Sequence, residues 1–128
     1  MICKCAVDGN WTVGWAFCFG FQSTEDKLQF WINGSLILQS TNAVALNTWH
    51  HVAVSRSGTN LRMFVNGSQE ASATNTTSIV PTSVLTVGSD ITAANYNFIG
   101  YIDDLRITKG FARYTANFTP PTETFRLR

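Results

Sequence analysis

The stretch WHHVAVSRSGTNLRMFVNG, residues 49–67, constrains the fold more than any other part of the sequence. Apolar side chains recur at every second position, Val52 and Val54, then Leu61, Met63 and Val65, with a Ser-Gly turn between the two runs. A period of two is a strand signature, and Asn66-Gly67 at the end accepts the positive φ angles that a two-residue hairpin turn demands. The segment is therefore a β-meander. Trp49, Ala53 and Phe64 put bulk on the opposite face as well, so both strands should be covered on two sides.

The same grammar appears upstream as LQFWI-NG-SLILQ, residues 28–39. Pairing Ile32 with Ser35 across its Asn-Gly turn sets Phe30 opposite Ile37. Before it, Ile2 to Val7 alternates weakly, Asp8-Gly9-Asn10 signals a turn, and Val13 to Phe21 separates a large row (Trp15, Phe17, Phe19, Phe21) from a small one (Gly14, Ala16, Cys18, Gly20). The large row is expected in the core, with an aromatic ligand-stacking strip as the alternative. The small row allows close approach of another layer or lies at the surface.

After Gly67, SQEASAT suits a sheet edge, residues 75–83 form a loop, and Val84 to Gly88 is a short buried strand. Residues 89–97, SDITAANYN, are the longest rim loop. Phe98 to Thr108 reads as the longest strand, with its alternation broken because Ile102 and Leu105 are three apart; a β-bulge at Asp103-Asp104 restores the phase. The remainder is a short turn or single helical turn followed by an extended Pro-Pro segment.

The chain has 128 residues, enough for one domain with a sizeable core and too few for two. Nine basic and eight acidic residues give no clustered positive excess, which argues against nucleic acid and anionic membrane as partners. No apolar run is long enough to span a bilayer, and the N-terminal residues lack a secretory signal's apolar region, so membrane insertion is not expected.

Three cysteines, Cys3, Cys5 and Cys18, are too few for a zinc site, with His50 and His51 far off in sequence. Two states remain open to them. Pairing Asp8 with Val13 across the first turn places Cys3 opposite Cys18 in disulfide reach; otherwise the thiols are free and buried.

The segments "WHHVAVSRSG", "LRMFVNG", "LTVGS" and "FIGYIDDLRI" resemble the second half of a LamG-like (laminin G-like) domain of the concanavalin A-like lectin/glucanase superfamily. The resemblance implies an all-β, two-sheet antiparallel jelly-roll sandwich, shortened at its N-terminus because two opening strands have no counterpart here. Such a sandwich would leave edges and apolar surface to be covered, so the resemblance also implies a homo-oligomer or a compensated smaller core. It gives structural parts to Trp49 and His51, packed between the sheets; Gly67, Gly88 and Gly100 are also read as structural, and Asp103 as an acceptor of backbone amide hydrogen bonds at the bulge. The ending "ARYTANFTPP" resembles that of domains in phage tail-fibre and related surface proteins, which implies an extracellular or virion-surface location.

Glycosidases on this scaffold resemble one another in carrying carboxylates at alternate positions of one strand. The eight acids here are Asp8, Glu25, Asp26, Glu70, Asp90, Asp103, Asp104 and Glu123, and no two are two apart. Nor does any Ser or Cys sit in a nucleophile motif beside the histidines. An enzyme is not expected. Calcium, the one cofactor the resemblance raises, has loop candidates in Asp8 with Asn10 and Asp90 with Asn95, without the dense spacing of a dedicated calcium loop. Five sequons, at Asn10, Asn33, Asn66, Asn75 and Asn117, are of the number an Asn-, Ser- and Thr-rich chain contains by chance.

The expected function is a non-catalytic binding or attachment module that recognises carbohydrate or a surface protein through its rim loops. Trp11 in the first turn and Asn95, Tyr96 and Asn97 in the long loop are the candidate contacts, since exposed aromatics stack on sugar rings and Asn side chains bond hydroxyls. The alternatives are a structural oligomerisation unit and, last, a divergent glycoside hydrolase.

Overall fold

The structure is a computed structural model in which residues 14–20, 26–79, 84–89 and 97–125 are described, together with the backbone of 2–5. Eight strands are present among them: β1 (Ile2–Cys5), β2 (Gly14–Phe19), β3 (Leu28–Ile32), β4 (Ser35–Gln39), β5 (Val52–Ser57), β6 (Asn60–Val65), β7 (Ser68–Thr74) and β8 (Thr86–Val87). They form two antiparallel sheets, one of five strands in the order β4-β3-β2-β1-β8 and one of three in the order β5-β6-β7. No helix occurs among the described residues. This is the all-β sandwich that the alternating pattern requires.

The core lies between the sheets. Leu28, Phe30, Ile32 and Leu38 from the larger sheet meet Leu61 and Met63 from the smaller one, with Val44 closing one side. Val52, Val54, Val65, Ala71 and Ala73 pack against this cluster, as do Trp15, Phe17 and Phe19. The large row of β2 thus faces the core as expected. Its rings reach Phe30, at 6.1 Å for Trp15 and 6.5 Å for Phe17, edge-on in the second case. The small row is not at the surface, however: Ala16 and Cys18 are buried.

Both Asn-Gly turns form as expected. Asn33 and Asn66 have φ of 47° and 50°, and the following glycines 75° and 81°, the paired positive angles of a tight hairpin. Ile32 does pair with Ser35, but Phe30 lies opposite Leu38 rather than Ile37. A bulge between Phe30 and Trp31 is the cause. It leaves Ile37 unopposed and shifts every later partner by one.

The β1–β2 register also differs from the expected one. Cys3 pairs with Ala16 and Cys5 with Gly14, so Cys18 has no cysteine across from it and is a free buried thiol. Removal from water pushes that thiol up to about 12, against the smaller lowering effects of the N-terminal charge and a hydrogen bond involving Trp31.

The largest departure is at 98–108, where the sequence predicts the longest strand. The structure has none there, and β8 is reduced to Thr86–Val87. The break in alternation is real, yet it takes the form of a left-handed residue: Asp104 has φ 48° and donates its N–H to the Asp103 carboxylate at 2.8 Å. A turn closed by its own aspartate removes that amide from any ladder. Ile99, Tyr101, Ile107 and Phe111 are left exposed, Ile99 by 98%.

Candidate functional site

The second face of β5–β6–β7 is where polar groups converge. Cross-strand register sets two rows on it: Ser55, Arg62 and Ser72, then Ser57, Asn60 and Thr74. Alternation does the sorting, because Leu61, Met63, Ala71 and Ala73 point the other way into the core. A bulge between Met63 and Phe64 then leaves Glu70 unopposed and returns Gln69 to the same face as Phe64. Asn60, Arg62, Gln69, Ser72 and Thr74, with the backbone of Leu61 and Ala73 between them, line an open depression of about 550 Å³.

The depression has free hydrogen-bonding capacity. Among the described residues the side chains of Arg62, Ser72 and Thr74 make no hydrogen bond or ion pair. Arg62 is the one ionisable residue of the lining among the described residues. The nearest acid in sequence on β7, Glu70, is turned aside by the bulge. Its carboxylate accepts from the backbone and side-chain amide of Asn42 at 3.2 Å, while its carbonyl accepts from Thr41 at 2.8 Å.

Arg56 provides the contrast. Its guanidinium donates to the carbonyls of Gly58, Asn75 and Thr77 at 2.9–3.1 Å, so its donors are spent on holding the chain that leaves β7. One arginine of this hairpin is structural; the other faces outward with no partner for its fork among the described residues.

An aromatic brace bounds the face at its other end. Tyr114 and Phe118 fold back over Phe64, which is fully buried beneath them, at ring distances of 6.2 and 5.3 Å. Those two rings stack at 3.6 Å. Two backbone ties fix the brace: Phe118 donates its N–H to the Gly67 carbonyl at 3.0 Å, and Gln69 donates to the Asn117 side chain at 2.9 Å. The cover expected over Phe64 is thus the C-terminal tail.

His51, expected between the sheets, is instead outside the inter-sheet core and lies in the same brace, edge-on to Tyr114 and Phe118 at 6.0 and 5.4 Å. Its Nδ1 is buried without a partner, and burial lowers its affinity for a proton below the ordinary value of 6.5. The neighbouring His50 meets the Asn66 side-chain amide through Nδ1 at 3.0 Å and the Ala45 carbonyl through Nε2 at 3.1 Å. His50 through its ring and His51 through its backbone N–H, which donates to the Asn66 side chain, hold the entry to β5.

The remaining expected positions divide three ways. Trp11, Asn95 and Tyr96 fall outside the described residues, as do the calcium candidates Asp8, Asn10 and Asp90; Asn97 is exposed in the approach to Phe98. Gly67, Gly88, Gly100 and Asp103 are placed. Gly67 is buried against the brace, and Gly88 accepts a hydrogen bond from the Phe98 N–H at 2.7 Å. Gly100 is exposed beside the Phe98 ring, and Asp103 holds the turn at Asp104. Trp49 corrects the expectation: it is 67% exposed, with its ring 6.5 Å from Tyr101, because it stands three residues before β5 and belongs to no sheet face.

Among the described residues no three His, Cys, Asp or Glu side chains converge on one point. The polar depression is a candidate that sequence reading missed. Its signal was present in the alternation of Asn60 and Arg62 with Leu61 and Met63, opposite the small polar run of β7.

The chain matches the laminin G-like family model of the concanavalin A-like lectin/glucanases superfamily over residues 4–111. No curated protein and no solved structure matches it.

Proposed function

We propose, for a chain that belongs to the laminin G-like family of the concanavalin A-like lectin/glucanases superfamily, a non-catalytic role: binding a carbohydrate on the polar face of β5–β6–β7. The observation that carries this reading is the depression lined by Asn60, Arg62, Gln69, Ser72 and Thr74, where amide, hydroxyl and guanidinium groups stand on rigid strands with free capacity. Such a bed suits the hydroxyl edge of a sugar, and strand-borne groups lose little entropy on binding. The rim contacts Trp11, Asn95, Tyr96 and Asn97 form a second arm of the same reading, at the surface of a virion, cell or secreted protein such as a phage tail fibre.

A glycan array followed by calorimetry on the positive saccharides tests it. Ser72→Trp, which fills the depression, should abolish binding while leaving the fold intact, because Ser72 is exposed and packs against nothing in the core. Binding that survives Ser72→Trp but is lost in Tyr96→Ala moves the site to the rim. A panel with no positive saccharide removes the carbohydrate reading.

A structural oligomerisation role is the second reading, and one observation favours it. Trp49, Ile99, Tyr101, Ile107 and Phe111 are each more than half exposed, and surface of this kind tends to be covered by another chain. Light scattering separates the two: a stable oligomer without saccharide binding supports the structural unit, and a monomer that binds supports the module.

A further inference from the structure

Among the described residues the two sheets end in four edge strands, β4, β8, β5 and β7. An open edge invites pairing with another chain unless it is short, bulged, charged or covered. β8 is two residues long, and β4 and β7 each pair through a bulge. β7 is tied as well, since the Gln69 N–H donates to the Asn117 side chain and the Glu70 carbonyl accepts from Thr41. Only β5 keeps an unbroken register over its whole length. The Asn66 N–H bonds the His51 carbonyl at 2.7 Å, which sets the phase of the β5–β6 ladder. Ala53, Ser55 and Ser57 therefore turn their backbone groups toward β6, and Val52, Val54 and Arg56 turn theirs away. Those outward N–H and C=O groups have no partner among the described residues. The one charge on the strand does not guard the edge, because the Arg56 guanidinium is bound to the carbonyls of Gly58, Asn75 and Thr77.

We infer that β5 pairs antiparallel with β5 of a second copy of this chain, about a twofold axis at Val54, joining the two three-stranded sheets into one. This rests on the oligomerisation reading above and gives it a defined contact; it is independent of saccharide binding. One antiparallel register uses every outward group: Val52 opposite Arg56 of the second copy, Val54 opposite Val54, and Arg56 opposite Val52, with two bonds exchanged at each pair. Such a contact is self-complementary and closes at two. The same register keeps like charges apart, because Arg56 meets a valine rather than itself, and it sets Ala53 against Ser55, both small, on the outer face. Carried past the strand, it brings Trp49 toward Gly58 and Thr59 of the second copy. Trp49 is 67% exposed, and nothing lies within 4 Å of where a Cβ would stand on Gly58, so the ring finds open space over that turn.

The test is sedimentation equilibrium of the full chain over a dilution series, with amide hydrogen exchange read residue by residue at both ends of the series. A monomer–dimer equilibrium is expected. At high concentration the Val52, Val54 and Arg56 amides should gain about tenfold in protection, while those of Ala53 and Ser55, already bonded to β6, change little. Trp49→Ala should raise the dissociation constant about tenfold and leave the unfolding midpoint of the monomer unchanged. Val54→Pro removes the central outward N–H without breaking a bond to β6, and should leave the chain monomeric, with circular dichroism verifying that the sandwich is retained. Should that variant not fold, the exchange pattern and Trp49→Ala decide without it. A monomer at every concentration overturns both the contact and the oligomerisation reading. An oligomer whose Val52, Val54 and Arg56 amides stay unprotected, or one that a folded Val54→Pro retains, overturns the β5 contact alone and leaves oligomerisation standing.

Discussion

Replacing Gly67 by alanine tests the C-terminal brace, and its cost follows from the backbone. Gly67 has φ 81°, where an L side chain is disfavoured by about 1–2 kcal/mol. A Cβ there would overlap the Phe118 carbonyl oxygen and lie 3.1 Å from the Pro120 ring. Both neighbours belong to the brace, and backbone cannot rotate aside as a long side chain does. The tail must lift, losing the Phe118 N–H to Gly67 bond, worth about 1 kcal/mol, and part of the ring contacts on Phe64, worth about 0.5–1.5 kcal/mol each. The expected destabilisation is about 3 kcal/mol.

Gly58→Ala is the matched control. Gly58 also has positive φ, 58°, yet nothing lies within 4 Å of its added Cβ, so only the backbone penalty of about 1 kcal/mol applies. Urea unfolding followed by tryptophan fluorescence reads the difference. With a slope of roughly 1.5 kcal/mol/M, Gly67→Ala should lower the midpoint by about 2 M and Gly58→Ala by about 0.7 M. Equal shifts in the two variants would refute the clamp, since they would mean that the tail does not press on this turn.

Three further outcomes follow. Stability should be full above pH 6.5 and fall as the pH drops below it, because the unfolded chain protonates His51 near its ordinary value while the buried native ring resists; His51→Phe should flatten that part of the pH–stability curve, measured by urea midpoints from pH 5 to 8. Arg56→Lys should destabilise by about 1–2 kcal/mol and speed hydrogen exchange at residues 75–77, since an ammonium cannot reach three carbonyls in one plane; unchanged exchange would show the loop to be held otherwise. Cys18 should resist iodoacetamide at pH 8 in the native state and react once urea is added, as read by peptide mass mapping, because its thiol is buried and scarcely ionised there.

The parts of the fold legible in the sequence were those that local rules determine alone. Both Asn-Gly hairpins needed only turn chemistry, and the inward set Leu61, Met63 and Val65 needed only a period of two. Bulges were opaque. The one in β4 replaced Ile37 by Leu38 opposite Phe30, and the one in β7 sent Glu70 away from Arg62, because an inserted residue is set by the partner strand. Likewise the Cys3–Cys18 pairing depended on where one turn closes, and a register two residues off removed it.

The candidate site was less legible, for a related reason. A polar face is assembled from three strands, and no short motif records that Asn60, Arg62 and Ser72 come together. The tail was half legible: the need to cover Phe64 followed from its size, but that Tyr114 and Phe118 would cover it required the chain's return path. The segment 98–108 misled because its apolar alternation is genuine while its ladder is absent.

One titration bears on the functional account most directly. In a two-dimensional amide spectrum recorded during addition of a binding saccharide, the resonances of Asn60, Arg62, Gln69, Ser72 and Thr74 should move together and saturate at one concentration, with those of β3 and β4 unmoved. Shifts confined to Trp11 and Asn95–Asn97, with the β6 and β7 amides still, would contradict it.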